Sequence, residues 1–234
     1  MSALGHIKPL DVWALVPVKA PIWAKTRLAE LLSDSERADL QWAMLQDVLD
    51  QLLASKELAG VAIVCPDPRI QALAQTRGVR VIGDEPPRGG LNAAVALGTE
   101  RLRQAGADLV VILPGDVPML DAADIDRAIL CAIQSDATVV VPDTNLEGTN
   151  ALVFRTERVP QFQFGKNSFS LHSQDVSNGP VSTLRLPSIA RDIDWPDDLA
   201  ALRRLRGDGA APQTNSVLET CAYLTTAKEL EKSQ

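Results

Sequence analysis

The stretch that decides the fold is Leu109-Val110-Val111-Ile112-Leu113-Pro114-Gly115-Asp116-Val117-Pro118. Its first five residues, apolar and mostly β-branched, predict a strand that is buried on both faces. The Pro-Gly pair ends that strand, so Asp116 follows its carboxyl end, where ligands bind in open α/β sheets. A carboxylate there can hold a divalent cation against a substrate phosphate. The alternative is a turn residue that caps the next helix.

Strands and helices alternate on both sides of this stretch. The predicted strands span residues 12–18, 60–65, 79–82, 108–113, 137–141, 151–154 and 181–186. The predicted helices span residues 33–55, 70–75, 91–105, 121–134 and 197–205, and another begins near residue 168. Ser33 and Glu36 predict a capping box at the start of the longest helix. Such regular alternation implies right-handed crossovers and an α/β protein with a mostly parallel sheet.

Composition excludes several classes of protein. Hydrophobic residues make up 46% and charged residues 23% of the chain, which is typical of a folded enzyme and not of a disordered segment. A net charge of -7 argues against a nucleic-acid-binding surface. No apolar run approaches the roughly 20 residues of a membrane span, and the first residues lack a signal-peptide core. We therefore expect a cytoplasmic protein without a membrane or nucleic-acid partner.

The length of 234 residues allows one large domain. We predict a single domain over residues 1–206, a linker that begins at residue 207 and runs to about residue 215, and a peripheral amphipathic helix at about residues 218–230. The three cysteines are widely spaced and lie mostly in apolar contexts, which is typical of core residues. With two histidines in the chain, a histidine-rich metal site is not expected.

Lys19, Lys25 and Arg27 lie in the loop that follows the first predicted strand. Cations at this position can meet a nucleotide triphosphate, with lysine as a point charge and arginine as a bidentate fork. The loop lacks the glycine pattern of a Walker A loop or of a dinucleotide fingerprint, so its side chains would hold the phosphates. A solvated basic loop without a ligand is the alternative.

A second candidate region, residues 83–92, is rich in turn-forming residues and follows the third predicted strand. Gly89 and Gly90 precede a predicted helix, where glycine lets the backbone approach a ligand and the helix N-terminus favours anions. Asn92 is the side chain that we expect to contact a base, ribose or phosphate. A flexible loop without a function is the alternative.

Thr149 and Ser168 suggest an oxyanion site in the second half of the chain. Ser168 and Gly165 precede what the pattern predicts as a helix N-terminus, where free N–H groups and the two hydroxyls can hold a phosphate or carboxylate. The alternative is an ordinary capped helix with Ser168 as its N-cap. Further along, Asp192 and Asp194 point to the same side of an extended backbone and can converge on one cation.

The ordered set of these motifs resembles the 2-phospho-L-lactate guanylyltransferase family. The motifs that carry the resemblance are Val16-Pro17-Val18-Lys19, Ala24-Lys25-Thr26-Arg27-Leu28, Gly90-Leu91-Asn92, Gly115-Asp116-Val117-Pro118, Gly148-Thr149-Asn150-Ala151-Leu152, Phe164-Gly165-Lys166-Asn167-Ser168 and Asp192-Ile193-Asp194. They run from about residue 12 to residue 205. The resemblance implies a three-layer α/β fold of the nucleotide-diphospho-sugar transferase-like (MobA-like) type, with a mostly parallel twisted sheet.

The resemblance also implies a role for each candidate residue. The family's acidic positions, which bind Mg²⁺ as the cofactor, correspond to Asp116, Asp192 and Asp194. The positions that hold the phosphorylated acid correspond to Thr149, Gly165 and Ser168. The basic positions that meet the triphosphate of GTP and act in catalysis with Asp116 correspond to Lys19, Lys25 and Arg27. The positions along the nucleotide, beside those three, correspond to Gly90, Leu91 and Asn92.

The reaction implied is the transfer of GMP from GTP to a small phosphorylated acid, with release of diphosphate, in the biosynthesis of coenzyme F-420. Members of the family use 2-phospho-L-lactate, phosphoenolpyruvate or 3-phospho-D-glycerate, and no residue identifies the acid. Two rival functions stay open: another nucleotidyltransferase of the same fold, acting on a molybdenum-cofactor precursor or a sugar phosphate, and a GTP-binding protein without turnover. A homodimer, and a hand-off of the product to the next transferase of the pathway, are also left open.

Overall fold

The structure is a computed structural model, and it describes residues 9–18, 25–83, 90–205 and 210–221. Its strands are β1 (Val12–Pro17), β2 (Gly60–Val64), β3 (Arg80–Ile82), β4 (Leu109–Ile112), β5 (Thr138–Pro142), β6 (Thr149–Arg155) and β7 (Val181–Thr183). Its helices are α1 (Asp34–Ala54), α2 (Pro68–Thr76), α3 (Gly90–Gln104), α4 (Ala122–Ser135), α5 (Ser168–Gln174), α6 (Pro196–Leu205) and α7 (Pro212–Thr220), with a short 3-10 turn at Thr26–Leu28. Within these ranges, no helix combines the length and apolar character that a membrane crossing requires.

The strands of the described residues form one sheet in the order β3-β2-β1-β4-β6-β5-β7. All neighbouring strands are parallel except where β6 pairs with β4 and β5, and β6 is antiparallel to both. The loop between β5 and β6 is too short for a parallel crossover, which needs about a dozen residues or more, so the chain turns straight back. The prediction of a mostly parallel sheet is therefore confirmed, with one reversed strand that the sequence analysis did not predict.

Alternate residues of β4 face two different apolar layers. Leu109 and Val111 belong to a core cluster that also contains residues of α1 and α4. Val110 and Ile112 belong to a second cluster, which contains residues of α3. All four side chains are at most 1% exposed. The strand is thus buried on both faces, as its run of apolar residues predicted, and the fold has three layers.

A smaller third cluster anchors two segments of the chain against α1. Leu28, at the end of the 3-10 turn, and Ile193, in the segment after β7, are both buried against Leu40 of α1 and neighbouring apolar residues. The start of α1 carries the predicted capping box: the Ser33 N–H donates to Glu36 Oε2 (2.8 Å), and the Glu36 N–H donates to Ser33 Oγ (3.3 Å). The packing of Leu28 and Ile193 against α1 therefore holds the residues beside them at fixed positions.

A helix occupies part of the stretch for which the sequence predicted a linker. α7 begins at Pro212, and Asp47 of α1 accepts hydrogen bonds from the backbone N–H groups of Gln213 (3.0 Å) and Thr214 (2.8 Å). A carboxylate from another helix thus satisfies the free N–H groups of the first turn, which a local pattern cannot show. Most of the predicted tail helix lies outside the described residues.

Candidate functional site

Three carboxylates converge at the edge of the sheet where β4 ends. Asp116 follows β4 after the turn at Pro114 and Gly115. The Ile193 N–H donates to the Asp116 carbonyl oxygen (3.1 Å), and this bond holds the segment of Asp192 and Asp194 against the turn. The charge of Asp192 interacts with those of Asp116 and Asp194. The charges of Asp116 and Asp194 also interact with that of Lys25. Aspartates that are distant in sequence therefore share one site.

Lys25 lies between two of these carboxylates. Its Nζ donates to Asp116 Oδ2 (2.5 Å) and to Asp194 Oδ1 (2.8 Å), and its side chain is 3% exposed. The backbone of Lys25 is left-handed, with φ of 55°, which is uncommon for a residue with a side chain and directs it inward at the start of the 3-10 turn. We call Asp116, Asp192, Asp194, Lys25 and Arg27 the charged cluster.

The pKa values of the charged cluster show how its charges are balanced. Burial tends to lower the pKa of Lys25, but the carboxylates of Asp116 and Asp194 together raise it above its ordinary value, so the ammonium stays charged. Burial raises the pKa of Asp192 to about 6, with further contributions from the charges of Asp116 and Asp194. Burial thus disfavours the charged form of Asp192, and a bound cation would offset that cost.

Arg27 extends the charged cluster toward solvent. Its Nη1 donates to Asp194 Oδ2 (2.9 Å), and its guanidinium lies 4.6 Å from the ring centroid of Trp195. Roughly half of the Arg27 side chain is exposed. Asp194 thus binds both Lys25 and Arg27. The ring of Trp195 packs against the Arg27 guanidinium in a cation–π contact.

The carboxylates also fit a bound cation. Asp116 Oδ1 is buried and has no hydrogen-bond partner among the described residues, and such an acceptor is costly unless a donor or cation completes it. No group of three or more His, Cys, Asp and Glu side chains within the described ranges is arranged to hold a metal ion. Mg²⁺, however, needs only one or two carboxylates when phosphate oxygens complete its shell. The residues present therefore fit Mg²⁺ that arrives with a nucleotide.

A second group of polar side chains is buried beside β6. The Thr149 N–H donates to Ser168 Oγ (2.9 Å), and Thr149 Oγ1 contacts His172 Nδ1 (2.9 Å). Gly165 lies just before α5 with φ of 126°, a conformation that only glycine adopts without strain. The N-cap of α5 is Asn167, so the alternative of Ser168 as N-cap is wrong: Ser168 is the first helical residue and its hydroxyl points to β6. We call Thr149, Ser168 and His172 the hydroxyl pocket.

Asn150 connects the hydroxyl pocket with the charged cluster. β6 runs antiparallel to β4, so the first residues of β6 lie beside the end of β4 that leads to Asp116. Asn150 Nδ2 donates to the Ile189 carbonyl oxygen (2.9 Å) and lies 3.5 Å from Asp192 Oδ1. Asn150, which follows Thr149 in β6, thus brings the two groups to the same end of the sheet.

The side chain of Asn92 binds the backbone of Phe164 through both of its polar atoms. Its Oδ1 accepts from the Phe164 N–H (2.8 Å), and its Nδ2 donates to the Phe164 carbonyl oxygen (3.2 Å), so the side chain clamps α3 to the segment that leads to the hydroxyl pocket. Gly90 and Leu91 form the exposed start of α3. Their predicted contact with the nucleotide stays a prediction. Lys19 lies outside the described residues.

The sequence interpretation overlooked His172 and Asn150 as members of the site. His172 stands four residues after Ser168, so one face of α5 presents both polar side chains to β6, and that spacing was visible in the sequence. His172 is only 2% exposed. Asn150 follows Thr149 directly, but its partners at Ile189 and Asp192 depend on how the chain folds back after β7. No local pattern reveals that contact.

Comparisons with known proteins show the family of the chain. The family model described as guanylyl transferase CofC like matches residues 12–214. The chain belongs to the CofC-like guanylyl transferase family. This CofC-like chain is accordingly a nucleotidyltransferase enzyme. The phosphoenolpyruvate guanylyltransferase of Rubrobacter xylanophilus is 35% identical over 200 residues, covering 85% of this chain and 96% of that protein. The 3-phospho-D-glycerate guanylyltransferase of Phenylobacterium zucineum is 36% identical over 197 residues, covering 82% and 89%.

Solved structures share the fold of the CofC-like chain. A protein described as a nucleotide-diphospho-sugar transferase from Desulfovibrio desulfuricans G20 matches with a TM-score of 0.69 at 17% identity, covering 95% of this chain and 96% of that one. A 4-diphosphocytidyl-2C-methyl-D-erythritol synthase matches with a TM-score of 0.59 at 13% identity, covering 84% and 99%. At these identities the likeness shows the fold alone. The predicted nucleotide-diphospho-sugar transferase-like fold is confirmed.

Proposed function

We propose that this enzyme transfers GMP from GTP to a small phosphorylated carboxylic acid and releases diphosphate. The observation that carries the proposal is that a charged cluster suited to a triphosphate lies at the same end of the sheet as two buried hydroxyls suited to a second anion. Asn150, which follows Thr149, lies 3.5 Å from Asp192. A transferase that joins two phosphates needs such a pair of anion sites at one edge of the sheet.

The proposed chemistry is a direct in-line displacement. A phosphate oxygen of the acid attacks the α-phosphorus of GTP, a new P–O–P bond forms, and the bond between the α-phosphorus and the bridging oxygen breaks as diphosphate leaves. The attacking phosphate is already ionised near neutral pH, so no general base is needed. Catalysis then consists of positioning and charge neutralisation, which suits a site of carboxylates, cations and hydroxyls.

Each part of the charged cluster has a distinct task in this proposal. Asp116 and Asp192 would hold Mg²⁺, which neutralises charge on the phosphate oxygens when it is bound. Lys25 and Arg27 would release part of their contact with Asp194 and turn their donors to the leaving diphosphate. Asp194, which lies between these two cations in the structure, would keep them within reach of the phosphates. It also remains a candidate Mg²⁺ ligand.

The hydroxyl pocket would bind the acid. Thr149 and Ser168 offer hydroxyl donors, and the left-handed backbone at Gly165 lets the chain turn closely around a small anion. Relatives that share about a third of their residues with this chain are named for phosphoenolpyruvate or for 3-phospho-D-glycerate. We therefore propose one of these acids, or 2-phospho-L-lactate, as the substrate, and a product that feeds the biosynthesis of coenzyme F-420 in the cytoplasm.

A substrate panel tests the proposal. The purified chain is incubated with GTP, Mg²⁺ and each acid, and mass spectrometry identifies the GDP adduct while diphosphate release is measured in parallel. We expect one acid to give an adduct with stoichiometric diphosphate. Sugar 1-phosphates and a molybdopterin serve as acceptors for the rival transferases, and ATP and CTP as rival donors. An adduct formed only with a sugar phosphate or a pterin would overturn the proposed function.

A further inference from the structure

The hydrogen bonds around His172 determine which of its ring nitrogens carries the proton. The backbone N–H of Gln163 lies 3.0 Å from His172 Nε2. A backbone N–H can only donate, so Nε2 must accept and carries no proton. In the neutral ring the proton then resides on Nδ1, which lies 2.9 Å from Thr149 Oγ1. His172 therefore donates to Thr149.

The imidazole is held in this neutral form by its surroundings. His172 is buried, and burial lowers its pKa to about 4, although the nearby carboxylate of Asp175 acts in the opposite direction. The ring of Phe164 packs edge-on against it, with 4.9 Å between centroids, and fixes its orientation. Because Asn92 clamps the backbone of Phe164, the ring is supported from α3 as well.

This arrangement leaves the proton of the Thr149 hydroxyl available for a ligand. Thr149 Oγ1 accepts from His172, so its own O–H has to point elsewhere. Ser168 Oγ accepts from the Thr149 N–H in the same way. Among the residues that the structure describes, neither hydroxyl donates to a protein acceptor. Two buried hydroxyls, on residues joined by the Thr149 N–H to Ser168 Oγ bond, thus each keep a proton that can be donated to a ligand.

We propose that His172 is a positioning residue that holds the Thr149 hydroxyl as a hydrogen-bond donor to an anionic oxygen of the acid substrate. The inference rests on the proposed function for the identity of the ligand, but the arrangement of donors rests on the geometry alone. A serine or threonine hydroxyl can otherwise rotate and act as donor or acceptor. With Nδ1–H facing its oxygen, the Thr149 hydroxyl donates its proton to an anionic oxygen of the ligand.

The tautomer of His172 can be measured directly by NMR. Long-range ¹⁵N–¹H correlation spectra of the uniformly labelled full chain distinguish the two ring nitrogens, and His172→Gln assigns the signals because the only other histidine is His6. We expect a neutral ring near neutral pH, with the proton on Nδ1. The tautomer with its proton on Nε2, or a charged imidazolium at that pH, would overturn the proposal.

A matched pair of variants separates positioning from packing. In His172→Asn the amide nitrogen can take the place of Nδ1 and donate to Thr149, whereas in His172→Gln the amide oxygen can accept from Gln163 but no donor faces Thr149. We expect His172→Gln to raise KM for the acid about tenfold or more, with KM for GTP unchanged, and His172→Asn to recover most of that loss. Equal losses in both variants would show a packing role only. Gln174→Asn, at an exposed position of the same helix, is the control.

A double-mutant cycle tests whether His172 acts through Thr149. Thr149→Val removes the hydroxyl and keeps the shape, and we expect it to raise KM for the acid at least as much as His172→Gln does. In the Thr149→Val background, His172→Gln should have no further effect, whereas additive losses would overturn the proposal. If the wild type transfers GMP to no acid, the proposed function fails. Inorganic phosphate then serves as the probe: calorimetric affinity lost in Thr149→Val supports the donor role, and unchanged affinity overturns it.

Discussion

The charged cluster and the hydroxyl pocket lie at the same edge of the sheet but are prepared for ligands in opposite ways. In the charged cluster, Lys25 occupies oxygens of Asp116 and Asp194, so a ligand has to exchange one set of ion pairs for another. In the hydroxyl pocket, hydrogen bonds from His172 and from the backbone of Thr149 already fix the accepting side of each hydroxyl. The charged cluster is therefore adjustable, whereas the hydroxyl pocket is preorganised.

The difference suggests a division of labour, in which the charged cluster binds the nucleotide and Mg²⁺ and the hydroxyl pocket binds the acid. Variants can test each half separately. The charged cluster should respond to any change of charge, because its cations and carboxylates balance each other at short distances. The hydroxyl pocket should respond to changes of hydrogen-bond direction at constant charge. The predictions below start with the charge that we expect to matter most.

Asp116→Asn is expected to have the largest effect. The amide removes the charge that pairs with Lys25 and the oxygen that is free to bind a cation. We expect kcat for GMP transfer to fall about a thousandfold, with little change in KM for the acid. Asp197→Asn, at an exposed position in the first turn of α6, is the matched control and should keep wild-type turnover. Full Mg²⁺-dependent activity in Asp116→Asn would show that the charged cluster is not catalytic.

Lys25→Met is expected to have the next largest effect, and to change turnover and metal affinity in opposite directions. Turnover should fall about a hundredfold, because a donor to the leaving diphosphate is lost. Affinity for Mg²⁺ or Mn²⁺ without nucleotide should rise, because the ammonium no longer occupies the carboxylates. Calorimetric titration with Mn²⁺ measures this. Lys56→Met, at an exposed lysine beyond the end of α1, is the control, and a fall in metal affinity in Lys25→Met would contradict the exchange of ion pairs.

Asp192 gives the charged cluster a dependence on pH that the hydroxyl pocket lacks. Burial and the neighbouring carboxylates raise the pKa of Asp192 to about 6, so Mg²⁺ competes there with a proton. We expect Mg²⁺ affinity in the presence of GTP to fall up to about tenfold per pH unit as the pH drops below about 6. Asp192→Asn should remove this dependence. A pH profile of Mg²⁺ binding that is identical in the variant and the wild type would count against Asp192 as a ligand.

The same pKa predicts an effect on stability in the absence of metal. A carboxyl whose pKa rises from 3.8 to about 6 on folding stabilises the protein by roughly 3 kcal/mol below pH of about 4, and this contribution is lost as the pH rises through about 6. Asp192→Asn should therefore melt at a higher temperature than the wild type at neutral pH. The difference should shrink as the pH is lowered, and a constant difference would contradict the assignment.

Trp195→Ala should have the smallest effect of these variants. The indole supports the Arg27 guanidinium through an exposed cation–π contact. Contacts of this kind contribute about 0.5–1 kcal/mol, so we expect KM for GTP to rise about two- to fivefold and KM for the acid to stay the same. Steady-state kinetics with each substrate varied in turn measures both. A larger change in KM for the acid than for GTP would place Trp195 with the hydroxyl pocket instead.

The sequence predicted those parts of the molecule that depend on local pattern. The apolar run before Asp116 indicated a strand buried on both faces, and the structure confirms it. The Ser33 and Glu36 capping box follows directly from the spacing of the two residues. The start of α7 was not predictable, because it depends on a carboxylate of α1. The reversed direction of β6 could have been inferred from the short connection after β5, which the interpretation of the sequence did not use.

The candidate site shows the same limit. The sequence named Asp116 and Asp194, but it did not reveal that Lys25 would bridge them, because the loop, the turn and the segment after β7 meet only in the folded chain. His172 was visible as a polar residue one helical turn after Ser168. Its role depends on the hydrogen bond from the Gln163 backbone N–H, and residue type alone does not predict a backbone contact of this kind.

The most direct test of the division of labour is a crossed binding measurement on two variants. Calorimetry measures the affinity of Asp116→Asn and Thr149→Val for a non-cleavable α,β-methylene GTP with Mg²⁺, and then for the acid at saturating analogue. We predict that Asp116→Asn loses affinity for the Mg²⁺ nucleotide and keeps affinity for the acid, and that Thr149→Val shows the reverse. Loss of both affinities in either variant, without loss of folding, would contradict two separately prepared halves of one site.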